Sequence, residues 1–350
     1  MSYISFQPND YFNTKLYTGN GSTNAITGVG FQPDWVWIKH RGDTHDHNAY
    51  DAVRGVTKMI TPNENYAEST VAASLTSFDS DGFTLGNVAR SNASGGSLVS
   101  WNWKANGAGS SNTDGSITST VSASTTSGFS IVKYTGNGVD NSSIGHGLNA
   151  VPEMIILKGY SGAEDWMVYH KGLTAGYEIR LNSSGAESDD SSNATWGDNH
   201  PNNINSSTFE VGYAGDSNGS GTDYIAYCFH SVKGFSKFGS YTGNGNADGS
   251  FIYTGMSPAF VILKNTATTD SWVMYDNKRP NPYNVIGSIL QPNTSIAETA
   301  NSAFNIDFVS SGFKIRGTDS AVGGNGNKII YMAFASAPLV SSNGVPAVAR

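Results

Sequence analysis

The pentapeptide Tyr-Thr-Gly-Asn-Gly (YTGNG) stands at residues 17–21, again at 134–138 and again at 241–245. A reused turn would leave its flanks unrelated. A copied folded unit would carry further landmarks at fixed steps. Downstream of each pentapeptide lies a proline, an apolar run and a lysine: PDWVWIK (33–39), PEMIILK (152–158) and PAFVILK (258–264). A tyrosine follows the lysine by eleven residues each time, at Tyr50, Tyr169 and Tyr275. Next come NENYAES (63–69), NSSGAES (182–188) and NTSIAET (293–299), which share the form N-x-x-x-A-E-[S/T]. A Ser/Gly turn then leads into SDGFTLG (80–86), SSTFEVG (206–212) and SSGFKIRG (310–317). Each copy closes on an apolar run, LVSWNW (98–103), YIAYCF (224–229) or IIYMAF (329–334). The whole unit is copied, with expected limits 1–105, 106–234 and 235–350, the last including a C-terminal tail.

Each unit reads as β structure. WVWI, MIIL and FVIL are apolar at every position, too short for a buried helix and suited to a strand covered on both faces. In the closing runs a period of two puts Val99, Trp101 and Trp103 on one face, and Ile225, Tyr227 and Phe229 on another. No long segment has a 3.6-residue apolar period; short helices are expected only near 52–60 and 284–290. Several short strands in about 110 residues predict an all-β chain of three tandem β-sandwich domains, jelly-roll or lectin-like. Asn-Gly in YTGNG suits the positive φ of a tight hairpin, and its glycines let the backbone pass close to a neighbour. The stretch 105–128 reads as linker, its second half as an edge strand of copy two.

Composition narrows the function classes. Charged residues are 14% of the 350, the net charge is −8, and 20 basic residues are scattered among 28 acidic ones. A nucleic-acid partner is not expected, since phosphate binding needs clustered Lys and Arg. The single cysteine, Cys228, permits no internal disulfide and no cysteine metal site; inside an apolar strand it reads as buried and inert. No run has the length of a membrane span, and MSYISFQPND lacks the basic and apolar regions of a signal peptide, so folding in a reducing cytosol is expected.

Three constellations invite chemistry. HRGDTHDHNAYD (40–51) holds His40, His45 and His47 beside Asp43, Asp46 and Asp51, types that ligate zinc. The matching loops of copies two and three have no histidine, which favours a solvated polar loop; no metal and no cofactor is expected. Glu68, Glu187 and Glu298 recur, one per copy, whereas sugar hydrolysis needs a pair of carboxylates; a shared structural task in a turn is the expectation, with no catalytic residue. Asp51, His170 and Asp276 hold one equivalent position but change type. From the repeated Glu to the later Phe copies one and three take 15 residues and copy two takes 22. The extra residues lie in DDSSNATWGDNHPNNINSS (189–207). An exposed Trp196 beside Asp198 and His200 would suit a sugar, the ring on the pyranose and the polar groups on its hydroxyls. The plainer reading tucks Trp196 back onto the sandwich.

FQPNDYFNTKLYTGNGS, ITGVGFQPDWVWIK, SLTSFDSDGFTLG and SWNWKANG together resemble a repeated domain of unknown function found in tail and structural proteins of marine bacteriophages. Copy one is the most similar, and the resemblance runs to about residue 338. It implies a non-enzymatic virion protein, a tail fibre, tail tip or adhesin, assembled in the host bacterial cytoplasm. The expected partners are other virion proteins, further copies of the chain in a homotrimer, and host-surface glycans, without nucleic acid or membrane insertion. An architectural decoration, neck or spacer protein is the alternative; a glycan depolymerase is a third.

Overall fold

In the computed structural model, residues 6–190, 192–279, 284–337, 339–340 and 346–347 are described. The chain is nearly all β, built of antiparallel sheets with no barrel and β-sandwich-like in character. Among the described residues the helices are single turns, at Ala89–Asn92, Gly215–Asn218 and Ser320–Gly323, with two 3-10 turns. The segments near 52–60 and 284–290 form turns and short β pairings instead of helices. Both have a helix-like apolar spacing, but Gly55 takes φ near +91°, which a right-handed helix cannot hold, and in each segment pairing across to a neighbouring strand satisfies the backbone instead. No described helix is long and apolar enough to cross a membrane.

The three copies repeat one sheet and one register. In copy one the order is Phe12–Thr18, Ser97–Trp103, Trp35–His40, Asn48–Asp51. Copy three repeats it with Ser236–Thr242, Lys328–Ala335, Pro258–Asn265 and Val273–Asp276. Copy two has the same four neighbours within an eight-stranded sheet. Its extra edge includes Ser119–Ser124, which pairs with Phe129–Thr135. The register is shared to the residue: Trp35 faces Trp103, Met154 faces Phe229 and Phe260 faces Phe334.

A smaller sheet covers one side of each large one. In copy one Asn24–Thr27, Gly82–Leu85 and Leu75–Asp79 form it, and Ile26, Phe83 and Leu85 bury against Val36, Ile38 and Tyr50. In copies two and three Ile144 and Phe209, or Ile252 and Phe313, do the same. The opposite side of all three large sheets is buried too, in one continuous cluster. It takes Trp35, Trp37, Trp101 and Trp103 from copy one, Met154, Ile156, Tyr227 and Phe229 from copy two, and Phe260, Ile262, Met332 and Phe334 from copy three. This explains why the central runs are apolar at every position: alternate residues serve two different cores. Trp35 stacks on Tyr227 of copy two, with centroids 4.2 Å apart and planes at 17°, and Phe12 stacks on Phe334 of copy three at 4.8 Å and 21°. The copies are therefore not beads joined by linkers, as a tandem reading suggests; they surround shared aromatic packing.

YTGNG has a different task from the expected hairpin. The strands on either side of it, Phe12–Thr18 and Asn24–Thr27, belong to different sheets, so the turn is a crossover. It docks on the single-turn helix of its own copy: Tyr17, Tyr134 and Tyr241 donate their hydroxyls to the carbonyls of Ser91, Ser217 and Val322. The last glycine of each takes φ near +67°, +69° and +67° at Gly21, Gly138 and Gly245. The first glycine is needed for proximity, since a Cβ on Gly19 would lie 2.1 Å from the Ala93 carbonyl oxygen, and on Gly136 or Gly243 within 2.5 or 2.3 Å of the matching carbonyl. Gly19→Ala is expected to cost about 1–3 kcal/mol through forced backbone displacement. Gly42→Ala, whose Cβ would meet nothing nearer than 3.8 Å, is the control, expected within about 0.5 kcal/mol of the parent in denaturant unfolding.

Candidate functional site

The landmarks shared by the copies meet at three joints between them, arranged cyclically. The backbone N–H of each repeated glutamate donates to the next copy: Glu68 to Tyr160 O, Glu187 to Thr266 O and Glu298 to Arg41 O. The three acceptors are the residues two positions after the repeated lysines. Returning across the same joints, the Trp166 indole N–H donates to Thr61 O, the Trp272 indole N–H donates to Arg180 O, and His47 Nε2–H donates to Gln291 O. These donors stand eight residues after the lysine in each copy, and their acceptors stand two before Asn63, Asn182 and Asn293. Those asparagines accept the backbone N–H groups of His47, Trp166 and Trp272 through Oδ1, fixing the strand that carries the donor. The repeated lysines are buried and also close joints: Lys158 donates to Asn65 O and Lys264 to Ser184 O, each 3.0 Å away in the preceding copy. Burial lowers each of the three lysine ammonium groups to about 8. Copy one departs here, because Lys39 donates to its own loop at His40 O and Asp43 O.

The repeated carboxylates sit at the joints and not around one cleft. Glu298 is held by Arg41 of copy one through two hydrogen bonds of 3.0 Å, and Glu187 by Lys328 of copy three at 2.9 Å. Glu68 pairs within copy one, with Arg54 at 3.0 Å and Lys58 at 3.3 Å. Among the described residues only Glu187 also accepts a backbone N–H, from Thr174; for the other two, the cations beside them replace the turn contact expected. Asp51 and Asp276 form buried pairs with Arg54 and Arg279 at 2.6 and 2.7 Å. Each also receives a donor from a neighbouring copy: the Tyr227 hydroxyl at 2.8 Å on Asp51, the Trp101 indole at 3.1 Å on Asp276. The corresponding residue of copy three is Met332, which has no donor. Facing that copy, copy two carries His170, which donates through Nε2–H to Tyr331 O. The change of type at this position thus follows the change of partner.

The histidine loop of copy one divides. His47 points inward, accepting the Trp37 indole N–H on Nδ1 at 2.9 Å while donating to copy three. His40 and His45 keep their rings 5.3 Å apart, and His45 lies 3.9 Å from Asp43. Among the described residues no three His, Cys, Asp or Glu side chains converge as a metal-holding group. Cys228 is buried among apolar neighbours, and burial pushes its thiol up.

In the long loop of copy two Trp196 is fully buried and offers no stacking platform. Gly212 N–H donates to Thr195 O as Gly86 N–H donates to Ser74 O in copy one, so Trp196 takes the place of Leu75. Copy two pairs only two strands in its small sheet, Ser142–Gly145 and Thr208–Val211. The indole fills the space that the third strand fills elsewhere. Asp190 fixes it by accepting the backbone N–H groups of Ala194, Thr195 and Trp196. His200 stacks behind the indole at 5.7 Å and 20°, and burial lowers its imidazole to about 4. Asp198 alone of the three is exposed, accepting from the Asn141 and Asn193 amides. The structure therefore brings Trp196 and His200 together as core.

The joints are pH-sensitive with a definite sign. His47 and His170 each accept a hydrogen bond on Nδ1 and donate from Nε2, which requires the neutral ring. Burial holds His47 well below its ordinary value, and lowers His170 to about 4 against the opposing effects of the Tyr331 carbonyl and Glu153. The unfolded chain takes up the proton near 6.5. Stability is therefore complete above about pH 6.5 and declines as pH falls toward 4, on the order of 3 kcal/mol for His170. Urea midpoints at pH 7 and pH 4.5 check this, and His170→Gln is expected to shrink the difference. A flat profile would refute it.

The sequence marked the glutamates, lysines and asparagines of these joints but missed the donor position occupied by His47, Trp166 and Trp272. Its constant step of eight from the lysine was available as a signal. In the comparison with protein families, residues 7–338 match a domain described as Domain of unknown function (DUF7483). No curated protein and no solved structure matches the chain.

Proposed function

Because this chain belongs to the DUF7483 family, whose match spans all three copies, we propose one function for the closed unit: a bacteriophage virion structural protein. In this reading it is a tail-fibre or tail-tip adhesin whose three lectin-like, jelly-roll sandwiches contact host-surface glycans. The observation that carries the reading is the use to which the repeated polar residues are put. The glutamates, the asparagines and the position of His47, Trp166 and Trp272 all bond across or at the joints. Repetition here maintains a rigid three-part scaffold, while sequence varies on the outer surfaces. Repetition of a glycan-contacting face would allow multivalent contact, in which weak single sites gain avidity. A homotrimer of the chain would multiply the faces further.

Imaging of intact particles with gold-labelled antibody tests the placement, and a host-glycan array tests the contact. Label at the host-facing tip together with glycan binding supports the adhesin. Label between capsid and tail with silence on the array replaces it by an architectural spacer. Release of reducing ends from host polysaccharide would replace both with a depolymerase. Light scattering decides the assembly, between 37.0 kDa for one chain and three times that mass.

A further inference from the structure

Two aromatic side chains stand in solvent on one strand of copy three. Phe251 is 51% and Tyr253 69% exposed, while Ile252 between them is buried. The fold does not require them. Ile252 pairs with Phe313 as Ile26 pairs with Phe83 and Ile144 with Phe209. The matching residues are Ala25 and Thr27 in copy one, both exposed, and Ser143 and Gly145 in copy two, where Asn112 covers Gly145. Large rings held in water where the same scaffold accepts small residues point to a contact made there.

The surroundings specify the chemistry of that contact. Phe251 lies opposite Lys314 on the adjacent strand, and Lys314 lies opposite Asp307 on the next. Lys314 pairs with Asp248 at 2.6 Å and Arg316 with Asp307 at 2.6 Å. Two cations and two carboxylates neutralise one another, so the face complements an uncharged ligand rich in hydrogen-bonding groups. Two residues along a strand set the rings roughly 6.8 Å apart, on one side. Aromatic rings receive the C–H faces of sugars, and fixed charged groups beside them take hydroxyls.

We propose that the outer face of the Phe251–Tyr253 strand binds a neutral polysaccharide chain, with Phe251 and Tyr253 packing on its sugar rings and Lys314, Asp248 and Arg316 bonding its hydroxyls. This rests on the adhesin reading and moves its contact from the long loop of copy two to copy three. The test is native affinity electrophoresis through gels containing laminarin, hydroxyethylcellulose or mannan, with alginate as the polyanionic comparison. The intact chain is expected to be retarded by at least one neutral polymer. The variant Phe251→Ala/Tyr253→Thr copies the residues of copy one, so the scaffold tolerates them, and it is expected to need at least tenfold more polymer for equal retardation. Free passage of the intact chain through all three neutral gels overturns the proposal. So does equal retardation of the variant, or retardation by alginate alone. A changed mass of the variant in light scattering also overturns it, by making this face a contact between chains. Particle imaging decides the adhesin reading separately, so failure of this face and failure of that reading are told apart.

Discussion

Trp35→Ala is expected to lower one unfolding transition of the whole chain, at a cost of about 3–5 kcal/mol and about 4–7 °C in midpoint. Trp35 is buried, stacked on Tyr227 and packed against Trp103 at 4.3 Å, so its removal opens a cavity between two copies. The neighbours that would have to close it lie on different sheets, each held in register on both sides, and can relax little. If the copies were independent sandwiches, calorimetry would resolve separate transitions and the substitution would move only one. The cluster that unites the three sheets predicts a single displaced transition. Ile38→Ala serves as comparison, because Ile38 faces the core of copy one alone; it is expected to cost about 2–5 kcal/mol with the same single transition, since each local core adjoins the shared one. Two or three transitions in the parent chain would refute this account.

Asp51→Ala is expected to be comparably severe, about 3–5 kcal/mol. The carboxylate is fully buried, with Arg54 at 2.6 Å and the Tyr227 hydroxyl of copy two at 2.8 Å. Arg54 stays cationic because Asp51 and Glu68 raise its value despite burial. Removing Asp51 leaves that cation short of its nearest anion and leaves the tyrosine donor unpaired. A second change, Arg54→Met, removes the stranded charge, and the double variant is expected to regain more than about 1 kcal/mol over the single one. Asp276→Ala should behave alike, since Arg279 and the Trp101 indole depend on it in the same way. Chemical denaturation of the single and double variants measures both effects. A double variant no more stable than Asp51→Ala would show that the cost lies in lost packing and not in the buried charge.

The fold was legible where local chemistry repeats. The five landmarks at fixed steps, the strand pattern of PDWVWIK and its counterparts, and the period-two faces of the closing runs all follow from residue order alone. The edge pairing of Ser119–Ser124 was legible too, from its alternation. Less could be read in the long loop of copy two. A tryptophan among amides and carboxylates has the same local signature whether it stacks on a sugar or replaces a missing strand. Only the absence of that strand made Trp196 a core residue. Phe251 and Tyr253 were not singled out by any repeated landmark; the pleat turns both outward around the buried Ile252.

By itself the sequence determined that one β unit was written three times, and that its central strands are covered on both faces. Periodicity records which side chains share a face, because the pleat fixes that locally. It carries no record of what lies opposite. Tertiary structure decided that the second face of each large sheet meets the other two copies. It also decided that Asp51 and Asp276 answer donors from neighbouring copies, where His170 answers a carbonyl beside Met332. Those contacts join residues more than a hundred positions apart, and they exist only once the three sheets have closed around a common core.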